Sequence, residues 1–162
     1  MHLRPHVLPT LCSILELYNG TTQIPCHLAS VATWADQYRG TARWTGPLHY
    51  IGAVDDNPPD SCQFPGSRGW DGQKFMNVLS AVRNATNTLE NYRSAYRKAS
   101  DIDETANKAL KFLIHFVGDM HQPLHLTGRD RGGNALNVTF DGRETSMFVF
   151  YLYSPFFLNA FV

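Results

Sequence analysis

The run "DIDETANKALKFLIHFVGDMHQPLH", residues 101–125, constrains the fold of this chain more than any other stretch. Residues 101–119 carry a helical apolar pattern whose acidic start suits the positive end of a helix dipole, and Pro123 stops it. His115 and Asp119 lie four residues apart at the end of this run, one helical turn above the other, so both can face one ion. His121 and His125 follow at once, so three of the chain's seven histidines fall between residues 115 and 125 beside a carboxylate. A lone histidine on an apolar face is ordinarily a packed core residue. A His-x3-Asp pair followed by two more histidines points instead to a metal, because imidazole nitrogen and carboxylate oxygen are natural zinc ligands at about 2.0–2.2 Å.

The rest of the chain reads as mainly helical. Residues 7–18 place Leu11, Ile14, Leu15 and Tyr18 on one stripe that Asn19-Gly20 ends. A second helix is expected over residues 25–39, started by Pro25 and carrying Leu28, Val31, Ala32, Ala35 and Tyr38 on one face. Residues 40–70 are dense in glycine and proline and read as a long irregular segment, a length of loop that is usually functional. Helix resumes over 71–98, with Phe75, Val78, Leu79, Val82, Leu89, Tyr92 and Tyr96 at helical spacing. "GGNALNVTFDGR" reads as a glycine turn, a short strand and a second turn.

Bulk properties exclude some partners. The 162 residues amount to one domain, and 43% apolar content with 17% charged residues argues against disorder. Lys+Arg and Asp+Glu both total 14, so no global positive field draws in nucleic acid, and any such binding must come from a local site. Histidine protonation below about pH 6.5 would make that binding pH-dependent. Sequons at Asn19, Asn84 and Asn137 fit a secreted glycoprotein. Cys12, Cys26 and Cys62 leave at least one thiol unpaired, and Pro5, Pro9 and Glu16 interrupt any signal-peptide core, so the front of the chain reads as absent.

Two further candidates lie upstream. Asp36 in "TWADQYR" sits near the end of an apolar helix face, where a buried carboxylate is costly unless paired or metal-bound; on a slightly rotated helix it is a surface residue. His49 in "GPLHYIGA" follows a proline turn and is either a packing histidine or a ligand. Taken in order and spacing, "WAD", "PLHYIGAVDDNPP", "FLIHFVGDMHQPLH" and "GGNALNVTFDG" resemble the S1/P1 nuclease family over roughly residues 7–145. That resemblance implies a largely helical bundle, shared with bacterial zinc phospholipase C, with a long loop and a short β segment. It implies a secreted zinc endonuclease that hydrolyses phosphodiester bonds of single-stranded DNA and RNA at a three-zinc site. Asp36, His49, His115 and Asp119 match the ligand set of one zinc, with Asp119 bridging to a second, and His125 matches a ligand of the third. Tyr50 matches an aromatic that stacks on a nucleobase, and Asn134 falls in a stretch lining the nucleotide pocket. His121 falls where the family tolerates a residue that does not bind metal, so at most it is expected to touch a ligand. Cys62 resembles a cysteine whose partner lies beyond this chain's end, so it is expected free, while a Cys12–Cys26 bond stays open.

Departures from the family pattern shape the expectation for these 162 residues. The terminal tryptophan that chelates zinc is absent, His6 does not align with the histidine that follows it, and "ETSMFVFYLY" stands where the family has its N-L-H-x3-D segment. About one zinc is therefore expected to be fully liganded, and activity to be weak or absent. Residues 1–145 read as a partial nuclease domain. The uncharged apolar tail 146–162 reads as foreign to it: as a helix, the sixteen residues 147–162 would span about 24 Å, short of the roughly 30 Å of a bilayer core. No membrane role and no stable protein partner is implied. Two other readings are a non-catalytic zinc-binding or interaction protein and a zinc phospholipase C.

Overall fold

The computed structural model describes residues 7–16, 27–52, 75–94 and 104–153. Its elements are α1 (Val7–Ile14), α2 (Trp34–Thr41), α3 (Val78–Ser94), α4 (Glu104–Met120), the strands β1 (Asn137–Phe140) and β2 (Arg143–Ser146), and α5 (Met147–Tyr153), with short 3₁₀ turns between them. The fold is mainly helical, as the sequence indicates, with one small antiparallel hairpin.

Helix α4 is the spine. Its seventeen residues bury Ala106, Asn107, Ala109, Leu110, Phe116 and Asp119. Phe116 joins Ile51, Val78 and Ala81 in one cluster, and Leu110 joins Leu15 and Val31 in another. One helix thus serves two cores, with α3 and the turn at 43–49 on one side and α1 with the turn at 28–31 on the other. The buried Asn107 amide donates to the Ile14 carbonyl at 2.8 Å, capping the end of α1. Cys12 in α1 is buried and disulfide-bonded. Its partner, and with it the state of Cys26 and Cys62, lies outside the described residues.

Several boundaries differ from the sequence expectation, each for a local reason. Helix α1 stops at Ile14 rather than near Tyr18, because Glu16 adopts a left-handed φ of 56° and Asn107 takes the terminal carbonyl. The single helix expected over 25–39 is broken. A 3₁₀ turn at Leu28–Val31, capped by His27 Nδ1 accepting from the Ala29 N–H, precedes α2 at Trp34. The front of the segment expected to be irregular winds into 3₁₀ turns over Arg43–His49, where the Thr45 hydroxyl donates to the Ala42 carbonyl at 2.8 Å. Helix α3 begins at Val78, not at 71. Asn77 Oδ1 accepts from the Ser80 N–H and Ser80 Oγ accepts from the Asn77 N–H, both at 3.0 Å, a reciprocal cap that sets the start. Phe75 therefore stands outside the helix and is 80% exposed instead of joining the packed stripe.

The hairpin pairs Asn137 with Ser146 and Phe140 with Arg143. Asp141 (φ 49°) and Gly142 (φ 71°) make the two-residue turn of the mirror-image type that matches strand twist. The second turn expected here thus leads into a second strand. The front of the apolar tail forms α5 and packs back: Phe150 lies 4.9 Å from Phe140 between ring centroids, and the Phe148 N–H donates to the Gly133 carbonyl at 3.2 Å. No described helix is long and apolar enough to cross a membrane.

Phe116 is 1% exposed and links the core to the histidines, its ring centroid 5.1 Å from that of His49 in an edge-to-face contact. Phe116→Ala is expected to cost about 3–5 kcal/mol of folding free energy, read as a lower urea midpoint with an unchanged slope.

Candidate metal centre

Four groups converge from three elements. Asp36 comes from the first turn of α2, His49 from the end of the 43–49 turn, and His115 and Asp119 from successive turns of α4. Two backbone bonds tie His49's neighbourhood down: Ile51 N–H to the His125 carbonyl at 2.8 Å and Val78 N–H to the Tyr50 carbonyl at 3.0 Å.

His49 Nδ1, His115 Nε2 and Asp119 Oδ2 stand 3.0, 3.0 and 3.2 Å from one another. Asp36 completes the group, with Oδ1 3.7 Å from His49 Nδ1 and Oδ2 3.7 Å from His115 Nε2. Ligand atoms about 2.0 Å from a tetrahedral ion lie about 3.3 Å apart, so these edges bracket the size such an ion requires. A single atom each from Asp36, His49 and His115 falls within 4.8 Å of the others, and these three form a group able to hold a metal ion. His115 Nδ1–H donates to the Ala32 carbonyl at 2.6 Å, which turns Nε2 toward the cluster. That carbonyl belongs to the break between the 28–31 turn and α2, so the interrupted helix orients the histidine.

Asp119 is the hinge of the arrangement. While Oδ2 faces His49 and His115, its Oδ1 lies 3.2 Å from the buried His125 Nδ1. The His125 ring stacks on Phe148 of α5 at 5.7 Å. Burial opposes charge on Asp119, yet hydrogen bonds from His115, His125 and His49 outweigh it and hold the carboxyl far below the usual carboxylate range. Burial likewise opposes charge on His115, but Asp119, the Ala32 carbonyl and Asp36 together raise its pKa above the ordinary imidazole value.

The other sequence candidates lie around this centre. Tyr50 is 48% exposed and, with Asp36, Arg39, Gly40, Arg43, Gly46 and Pro47, lines an open cleft of about 570 Å³ beside it. Asn134 sits in the turn before β1, its amide donating to the Arg131 carbonyl at 2.9 Å. His121 is exposed and turns away, bonded to the Val117 carbonyl at 2.6 Å. His6 lies outside the described residues. Sequence reading passed over Arg39 and Arg43, for which no carboxylate partner occurs among the described residues. Arg39 stands three residues after Asp36 on one helix face, a spacing that could have found it. The Ala32 carbonyl had no sequence signal at all.

Comparison with known proteins places the chain in a family. A family profile described as S1/P1 Nuclease matches residues 1–151. Nuclease P1 of Penicillium citrinum is 42% identical over 123 residues, covering 75% of this chain and 42% of the relative. Nuclease S1 of Aspergillus oryzae is 37% identical over 123 residues, 75% of this chain and 39% of the relative. Endonuclease 2 of Arabidopsis thaliana is 36% identical over 124 residues, 74% and 40% respectively. The chain belongs to the S1/P1 nuclease family. It spans about two fifths of the length of these relatives, and the matched region runs into the apolar tail as far as residue 151.

The raised pKa of His115 fixes a sign. Its stabilising charge is fully present below the unfolded value of about 6.5 and is lost as pH rises through the higher folded value. Metal-free protein is therefore expected to melt at progressively lower temperature as pH rises through that window. Bound metal, which needs the neutral imidazole, should remove the decline. Thermal melts across the window with and without zinc check this.

Proposed function

We propose that this chain is a zinc-dependent endonuclease acting on single-stranded DNA and RNA. The observation that supports it most is Asp119, one buried carboxylate whose two oxygens face two different histidine groups, the disposition of a ligand shared between neighbouring ions. Asp36, His49, His115 and Asp119 would hold one zinc, and His125 would belong to the adjacent position. When bound, zinc supplies Lewis acidity toward phosphate oxygen and a water whose pKa falls to about 7.

The chain's own residues do the rest. With both imidazoles neutral, as metal binding requires, the two carboxylates would make the site anionic and suited to a dication. Phe116 closes its inner side, so the reacting face is the open one, where Asp36 is half exposed. Arg39 and Arg43 on the cleft are placed to take phosphate oxygens, and Arg suits that contact through its planar fork of donors. Tyr50 offers a ring for one unpaired base, worth about 1–3 kcal/mol per base and available only where bases are not already stacked in a duplex. Asn134 would face the nucleotide only after releasing Arg131. The three sequons support a secreted glycoprotein.

Among the described residues one ion position finds four ligands. About one zinc per chain is expected by elemental analysis after refolding with excess metal, and Asp119→Ala should lose it. Cleavage of denatured DNA is expected to be slow and to disappear in that variant. Stoichiometric zinc without any Asp119-dependent cleavage would favour a non-catalytic metal protein, and turnover of phosphatidylcholine in place of DNA a phospholipase.

Cleft and centre can be tested separately. Tyr50→Ala is expected to weaken binding of a short single-stranded oligonucleotide by about 1–3 kcal/mol, roughly 5- to 150-fold in Kd, while zinc content stays unchanged. Fluorescence anisotropy and elemental analysis on the same sample check both halves.

A further inference from the structure

The 43–49 turn has two faces. Arg43, Gly46 and Pro47 line the cleft beside the metal centre, whereas Trp44 and Leu48 line a second concavity of about 290 Å³ on the flank of α3 and α4. Ala81, Ala85 and Phe112 supply much of the floor of this groove, and Asn84 also lines it. Trp44 is 61% exposed and stacks on no other ring among the described residues. Its neighbour Arg43 has no carboxylate partner among those residues. An indole left in water beside an unpaired guanidinium suits a ligand that is both aromatic and anionic.

We propose that Arg43 and Trp44 form a remote subsite for single-stranded nucleic acid, where a strand leaving the cleft crosses the 43–49 turn and stacks a base on Trp44. Arg43 takes the phosphate at the crossing, and the exposed amide of Asn84 offers a donor and an acceptor to the base edge. Trp44 and Tyr50 stand six residues apart along the turn, about 12 Å at roughly 2 Å per 3₁₀ residue. A few nucleotides of extended strand bridge that distance. Bases in a duplex are already stacked on one another, so this seat, like the Tyr50 ring, is open to single strands. An apolar peptide would fill the groove without using Arg43, and a second copy of the chain would bring no phosphate to it. The subsite adds no chemistry; it lengthens the footprint, so longer strands are held more tightly than short ones. The inference rests on the nuclease reading of the centre and adds to it a preference for strand length.

The full chain, made in a bacterial host so that Asn84 stays bare and refolded with zinc, provides the test. It is titrated with phosphorothioate oligothymidylates, which resist cleavage: a dinucleotide and a strand of about eight nucleotides, within the usual footprint of such sites. Anisotropy of labelled strands reads Kd, and quenching by unlabelled strands reads Trp44 (isolated by difference with Trp44→Phe). The longer strand should bind more tightly than the dinucleotide and should alone quench Trp44. Trp44→Ala should weaken the longer strand by about 5- to 150-fold, while Trp44→Phe, which keeps a ring, should retain most of its affinity. Arg43→Gln should make the salt dependence of the longer strand shallower by about 0.7 in log–log slope, the share of one phosphate contact. Zinc content equal to that of the parent shows that each variant is folded. A longer strand that gains nothing over the dinucleotide, or whose gain survives Trp44→Ala, overturns the subsite while the nuclease reading stands. If neither strand binds, both readings fall. Trp44 fluorescence that changes with protein concentration alone assigns the groove to a second copy of the chain and overturns the proposal.

Discussion

Asp119 is a carboxylate pressed into the inner side of the helical bundle, and the rest of the site is arranged around making that tolerable. An unpaired charge there would carry a heavy desolvation penalty. Three histidines from separate parts of the chain remove it by surrounding the two oxygens. This requirement ties α4 to the turn at 43–49 and to the turn at 123–125. It also explains why those turns are bonded to each other through the Ile51 N–H and the His125 carbonyl. Loosening any one of these connections would leave the carboxylate partly uncompensated, so stability and site geometry are coupled through one residue.

The centre is asymmetric. One side is apolar, closed by Phe116 and backed by Phe112, which stacks on it at 5.1 Å. The other side opens past the half-exposed Asp36 into a cleft with two arginines and a tyrosine. Low dielectric behind the cluster would strengthen its hold on a cation, and its front is open to solvent. Phe148 adds a third constraint: by stacking on His125, the short α5 braces the histidine that faces the second oxygen of Asp119.

Much of this was legible in local pattern. The i, i+4 relation of His115 and Asp119 follows from helical periodicity alone, and α4 is the element whose periodicity is strongest. Asp36 and His49 were less secure. Each taken by itself reads equally well as surface or packing, and only their order and spacing within a family pattern singled them out. Helix boundaries proved harder, because their causes are short-range hydrogen bonds that hydrophobic pattern does not encode. Asn77 and Ser80 cap each other and exclude Phe75 from α3, and the break at residues 32–33 serves His115, which lies 83 residues away in sequence. The second strand was missed because Arg143–Ser146 is short and polar on its own. It becomes a strand only through pairing with β1.

By itself, then, the sequence determined the helical class, the register that sets His115 above Asp119, and the membership of the family whose ligand types it shares. These depend on residue spacing within single elements and on motif order, which survive without knowledge of how the elements meet. Tertiary structure decided which nitrogen of His115 faces the ion position, because the Ala32 carbonyl claims the other one. It also decided that Asp119 looks toward both histidine groups, that Arg39 and Arg43 share a cleft with Tyr50, and that Asn84 borders an aromatic groove. Each of these is a distance of a few ångströms between groups far apart in the chain. Such distances are set by how helices pack and where they break, and no one-dimensional pattern contains them.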